Sequence, residues 1–111
     1  MKTTTKLAVT GLALALAAGA AQAATAADNW DNKCASCHGA DGKAQTKMGK
    51  KLKVRDYTDA KVQAELKDDA MIKATTDGVT VDGKERMKGY KADLSADEIK
   101  DLVAHIRKFK A

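Results

Sequence analysis

Every cysteine of the chain lies in one pentapeptide, Cys34-Ala35-Ser36-Cys37-His38. Two thiols three positions apart on a helical turn point to the same side, and a histidine follows at once. The rest of the sequence asks for a staple. Its 111 residues hold one Trp, two Tyr, one Phe and no Pro, and the 44% apolar content is inflated by Ala and Leu gathered at the N-terminus. A single domain this small buries a modest share of its surface and often needs a disulfide, a metal or a cofactor to reach useful stability. The pentapeptide is where that dependence is met.

Three chemistries compete for it. A redox-active disulfide usually sits at the end of a strand in a βαβ unit, and no strand precedes Cys34. A structural zinc site needs four ligands, and only Cys34, Cys37, His38 and the distant His105 are available, without a second C-x-x-C or H-x-x-H. The third is c-type haem attachment, whose pattern is C-x-x-C-H. There each thiol forms a thioether to one vinyl group at the porphyrin edge, and His38 becomes the proximal iron ligand. The sequence favours this third reading.

A haem used for electron transfer usually has a sixth ligand, and Met paired with His raises its potential. Met71 falls in an apolar helical stripe with Leu66 and Ala74 and reads as core. Met48 is too close to His38 for the chain to pass around the haem edge. Met87 stands alone in the charged run Lys84-Glu85-Arg86-Met87-Lys88, bracketed by Gly83 and Gly89. An isolated apolar residue there is either a surface accident or the distal ligand. His105 lies among Leu102, Val103, Ile106 and Phe109 and reads as structural. No Ser/His/Asp or paired-carboxylate arrangement supports an enzyme.

The N-terminus has its own signature. A basic start with Lys2 and Lys6, an apolar run from Leu7 to Ala18 and the small-residue pattern Ala21-Gln22-Ala23 read as a secretory signal peptide over residues 1–23. The run is short of the roughly 20 residues of a spanning helix. Residues 24–111 are then the folded domain, with no transmembrane segment expected. The 20 basic residues, less Lys2 and Lys6, leave 18 against 15 acidic ones, a net charge of +3. No basic block or aromatic-interleaved stripe is present, so nucleic-acid binding is not supported. Mild positive charge suits steering toward an acidic protein partner.

Periodicity predicts four helical stretches. Residues 28–38 carry Trp30, Cys34 and Cys37 on one side, opened by Asp28 or Asn29; the stretch through Lys53 is a loop. Thr58 and Asp59 start a short helix with Val62 and Leu66 on one face. Asp68-Asp69 start another, which Gly78 closes. Val79-Thr80-Val81 is too short to count as a strand and is expected to be loop. Ser95 and Glu98 form a capping box before Ile99, Leu102, Val103, Ile106 and Phe109, which share a face. That last helix is expected to pack against Trp30.

With C-x-x-C-H near the mature N-terminus, a Met in a late loop and an amphipathic C-terminal helix, the sequence resembles a class I cytochrome c and is similar to small bacterial monohaem electron carriers. The resemblance implies an all-α fold of short helices wrapped around one covalently bound haem c. It implies thioethers at Cys34 and Cys37, His38 as proximal and Met87 as distal iron ligand, and residence in a bacterial periplasm. The expected activity is one-electron transfer by a soluble monomer that meets transient redox partners with acidic docking surfaces. Lys43, Lys47, Lys50, Lys51, Lys84, Lys88 and Lys91 would border the haem edge, or simply solvate the surface. The alternative is a ligand-binding or catalytic haem protein with an open sixth position. Two departures stand out. His105 occupies the place of the usual aromatic of the last helix, which predicts a more polar helix crossing. The lack of Pro means that another backbone carbonyl, near Met48 or Gly49, must accept from His38.

Overall fold

The computed structural model describes residues 24–110, so the expected signal peptide lies outside the described residues. The first helical rod begins at α1 (Ala26–Asn29), continues through a π-helical turn (Trp30–Cys34) and ends in α2 (Ala35–His38). It starts earlier than the sequence suggests. Thr25 is the cap, its hydroxyl accepting from the Asp28 N–H at 3.2 Å. In the π turn the Ala35 N–H reaches back five residues to the Trp30 carbonyl; such turns often mark functional positions. Gly39, at φ +82°, stops the rod in a conformation that glycine adopts without a Cβ penalty.

The stretch expected to be loop contains α3 (Lys47–Lys51). Thr46 nucleates it, its hydroxyl accepting from the Gly49 N–H at 2.8 Å and donating to the Cys37 carbonyl at 2.7 Å. The same side chain therefore caps α3 and ties it to the cysteine turn. Helix α4 (Ala60–Glu65) is capped by Asp59, as the sequence indicates. Helix α5 (Asp68–Asp77) has two carboxylates in its first turn and ends at Gly78.

The domain is mostly helical but not all-α. Val79–Val81 (β1) and Lys84–Met87 (β2) pair antiparallel. Asp82 and Gly83, both at positive φ (51° and 74°), form the two-residue turn between them. Asp-Gly between extended runs is a strong local hairpin signal, and it outweighs the shortness of β1. Met87 thus ends a strand rather than sitting in a loop. Val79 faces Met87 and Thr80 faces Glu85, so Arg86 is an unpaired bulge residue.

Helix α6 (Ala96–Ile106) shows the complete capping box of Ser95 and Glu98. It packs on α1 and α5. Its Ile99, Leu102, Val103 and Ile106 join Trp30, Cys34, Met71 and Leu94 in one core. The helix ends at Arg107, which places Phe109 in the turn beyond it.

Candidate functional site

Trp30 is the hub of the site. It is 2% exposed, and its indole N–H donates to the Gly39 carbonyl at 2.9 Å, closing the turn that carries Cys37 and His38. Around its ring lie His38 (centroids 5.5 Å apart), Tyr57 (6.2 Å), His105 (5.7 Å) and Phe109 (4.9 Å). His105 of the last helix stands against Trp30 where the sequence places it, and the contact gains an aromatic partner from just beyond that helix. Phe109, one turn later, supplies the ring.

His38 packs against both Trp30 and Tyr57, whose own ring centroids are 6.2 Å apart, and Tyr57 stacks on it at 5.2 Å and 14°. Burial lowers its pKa, so the imidazole is held neutral, the form that donates a lone pair to a metal. Its Nδ1 is buried without a hydrogen-bond partner. The carbonyls expected to accept from it are engaged otherwise: Met48 takes the Leu52 N–H and Gly49 the Val54 N–H, each at 2.9 Å. Those bonds close the end of α3.

The two cysteines are not joined in a disulfide; Cys34 is buried and Cys37 half-buried. Burial pushes Cys34 up to about 11. Redox-active thiols have lowered pKa values, so this one is poorly suited to thiol–disulfide exchange. Among the described residues no group of three or more His, Cys, Asp or Glu is arranged to hold a metal ion.

One cavity of about 530 Å³ brings the predicted residues together. Cys34, Cys37, His38 and Met87 all line it, with Leu66, Ala70, Met71 and Ala74 from the α4–α5 region and Leu102 and Ile106 from α6. The volume and apolar lining suit a cofactor. Two thiols, a neutral imidazole and a thioether on one apolar cavity are the donor set of a covalently attached haem, so the residues present fit that group. Met71 serves both core and cavity, whereas Met48 is 41% exposed and lies elsewhere.

The charged rim differs from expectation. Of the lysines singled out in the sequence only Lys88 lines the cavity; Lys33, Lys53, Arg55 and Arg86 take the place of the others. The bulge explains Arg86, because it lets two consecutive residues, Arg86 and Met87, reach one cavity. Tyr57 and Tyr90, which also line it, carried no periodic signal in the sequence beyond being the only two tyrosines of an aromatic-poor chain.

Comparison with known proteins agrees with this chemistry. The family described as cytochrome C oxidase, cbb3-type, subunit III matches residues 21–106. A solved structure titled KustC0563 c-type cytochrome is similar at 32% identity and a TM-score of 0.70, covering 79% of this chain and all of that one. A mutant of Kustc0563, with phenylalanine for a tyrosine, gives 32% identity and a TM-score of 0.68 over 78% of this chain and all of its own. No curated protein matches the sequence.

Proposed function

The chain belongs to the class I cytochrome c family, through the cbb3-type subunit III description that it matches, and from that membership we propose that it is a one-electron carrier of the bacterial periplasm. In this reading residues 1–23 export it and residues 24–111 form a monomer holding one haem c. Cys34 and Cys37 carry the thioethers, His38 is the proximal ligand and Met87 the distal one. The observation that carries the reading is the convergence of these four residues on one apolar cavity. Domains of this family are typically electron carriers.

Bound haem supplies an iron centre that exchanges one electron between Fe(II) and Fe(III). The chain's own residues keep that exchange simple. Trp30 packs against the His38 ring and Tyr57 stacks on it, contacts that limit the movement of the ligand when charge changes. The apolar wall of Leu66, Met71, Leu102 and Ile106 excludes water. Lys33, Lys53, Arg55, Arg86 and Lys88 at the cavity would steer a redox partner with an acidic face, and such encounters use small, short-lived interfaces. Among the described residues no helix is long and apolar enough to cross a membrane.

The test is a redox titration of the haem-loaded protein, followed by acid-acetone extraction. A single reversible one-electron transition, with the haem retained on the polypeptide, is expected. Extraction of the haem, or a site that cannot be cycled, would overturn the reading.

A further inference from the structure

Met87 sits at the end of a short hairpin, and most of what fixes it is backbone from one side of the cavity. Val79 faces it across the pair. Gly78 comes so near that a Cβ there would lie 2.5 Å from the Met87 carbonyl oxygen, and a Cβ on Gly89 would lie 2.7 Å from the Asp77 carbonyl carbon. Beyond Gly89, the Tyr90 N–H donates to the Thr75 carbonyl at 2.8 Å and the Lys91 N–H to the Thr76 carbonyl at 3.2 Å. All of these contacts join the Met87 segment to the end of α5.

One side chain reaches across to the haem-attachment rod. The Tyr90 hydroxyl donates to the Lys33 carbonyl at 2.9 Å, spanning 57 positions of sequence. Lys33 immediately precedes Cys34, and Lys33, Cys34, Met87 and Tyr90 all line the same cavity. The Lys88 ammonium lies 5.4 Å from the Tyr90 ring centre and adds to its fixation. Burial holds the phenol above the usual tyrosine range, so it remains a donor at neutral pH.

We propose that Tyr90 is a positioning residue for Met87: its hydroxyl clamps the end of β2 to the Lys33–Cys34 backbone and keeps the Met87 thioether in the cavity. The proposal rests on the reading of Met87 as distal ligand. The clamp matters because the remaining supports are weak. An isolated two-stranded hairpin is marginal in water. The ion pairs beside it, Lys88–Asp93 at 3.1 Å and Lys91–Asp77 at 3.9 Å, join side chains exposed by 39% or more, and pairs of that kind contribute little. Segments with few buried contacts open locally at low free energy. Releasing one hydrogen bond of ordinary net strength multiplies the open population about fivefold.

The test uses Tyr90→Phe in the full haem-loaded chain and follows imidazole binding to the oxidised protein, whose rate at saturating imidazole is set by Met87 leaving the iron. An increase of about fivefold in that rate is expected, with the Met-to-iron absorption band still present without imidazole. Hydrogen exchange of the Met87 to Lys91 amides should quicken by a similar factor while the α6 amides hold. Arg107→Lys, which weakens the fold away from the hairpin, should leave the imidazole rate unchanged. A wild-type rate in Tyr90→Phe, or an equal rise in both variants, would overturn the clamp. An unchanged absorption spectrum in Met87→Ala would instead overturn the ligand assignment beneath it.

Discussion

Replacing Trp30 by Phe separates what the indole does from what any buried ring would do. The indole N–H bond to the Gly39 carbonyl is lost, but that carbonyl also accepts from the Gly42 N–H at 3.1 Å and keeps one partner. The loss is therefore that of one hydrogen bond of ordinary net value, about 1 kcal/mol. The smaller ring also abandons part of the contact with His38, Tyr57, His105 and Phe109. At about 0.8 kcal/mol for each buried carbon group removed, this adds roughly 1.5 kcal/mol. The sum, about 2.5 kcal/mol, is a large fraction of what a domain this small possesses. It corresponds to a fall in Tm of roughly 10–20 °C. Urea titration of the haem-loaded protein, followed in parallel by far-ultraviolet circular dichroism and by haem absorption, measures it. A loss below about 1 kcal/mol would show that Trp30 is not the hub that the ring geometry makes it.

Arg107 donates to the Gln63 and Leu66 carbonyls, each at 2.6 Å, and to Asp68 Oδ1 through both Nε and Nη2, at 2.9 and 2.7 Å. Arg107→Ala should lower stability by about 2 kcal/mol in urea titration, and Arg107→Lys should recover less than half of it, because an ammonium lacks the planar fork. A Cβ on Gly49 would lie 2.5 Å from the Ala44 and Cys37 carbonyl oxygens, so Gly49→Ala must displace backbone at the attachment turn. It should destabilise the protein by about 2 kcal/mol or more and reduce the yield of covalently loaded chain; a wild-type yield and midpoint would refute the close approach. Glu98 is held below the usual carboxylate range, first by the Ser95 backbone N–H and then by the Asn29 side chain. Its folded pKa is the lower one, so its stabilisation is present above about 4.5, the ordinary value, and is lost as pH falls through the folded pKa. Glu98→Gln should therefore be the less stable form at neutral pH, and the two denaturation midpoints should converge on acidification.

What the sequence revealed, and what it hid, follows from how local each signal is. The pentapeptide announces its chemistry because the spacing itself is the geometry. Helix α6 is equally plain, since Ser95, Glu98 and the apolar stripe lie within a few turns of one another. The hairpin was legible in Asp82-Gly83, but three β-type residues looked too few; its two strands fold together because the glycines at 78 and 89 let it lie against the end of α5. Helix α3 leaves little trace in the sequence because it is short and its cap, Thr46, is fixed as much by the Cys37 carbonyl as by its own helix. The partners of His38 were the least legible. Tyr57 reaches it from a distant loop, held by a bond from its own N–H to the Gly42 carbonyl. The identities of the rim cations were hidden for a similar reason, since a bulge at Arg86 decides which residues face the cavity.

The central claim, a haem closed between His38 and Met87, is tested most directly by exposing the reduced protein to carbon monoxide while recording its absorption. A closed site gives sharp reduced bands of c-type haem that do not respond to the gas and a Met-to-iron band in the oxidised form, and Met87→Ala loses both the band and the resistance to the gas. A wild-type protein that binds carbon monoxide readily, or a Met87→Ala spectrum identical to the wild type, would contradict it and place the protein among haem proteins with an open sixth position.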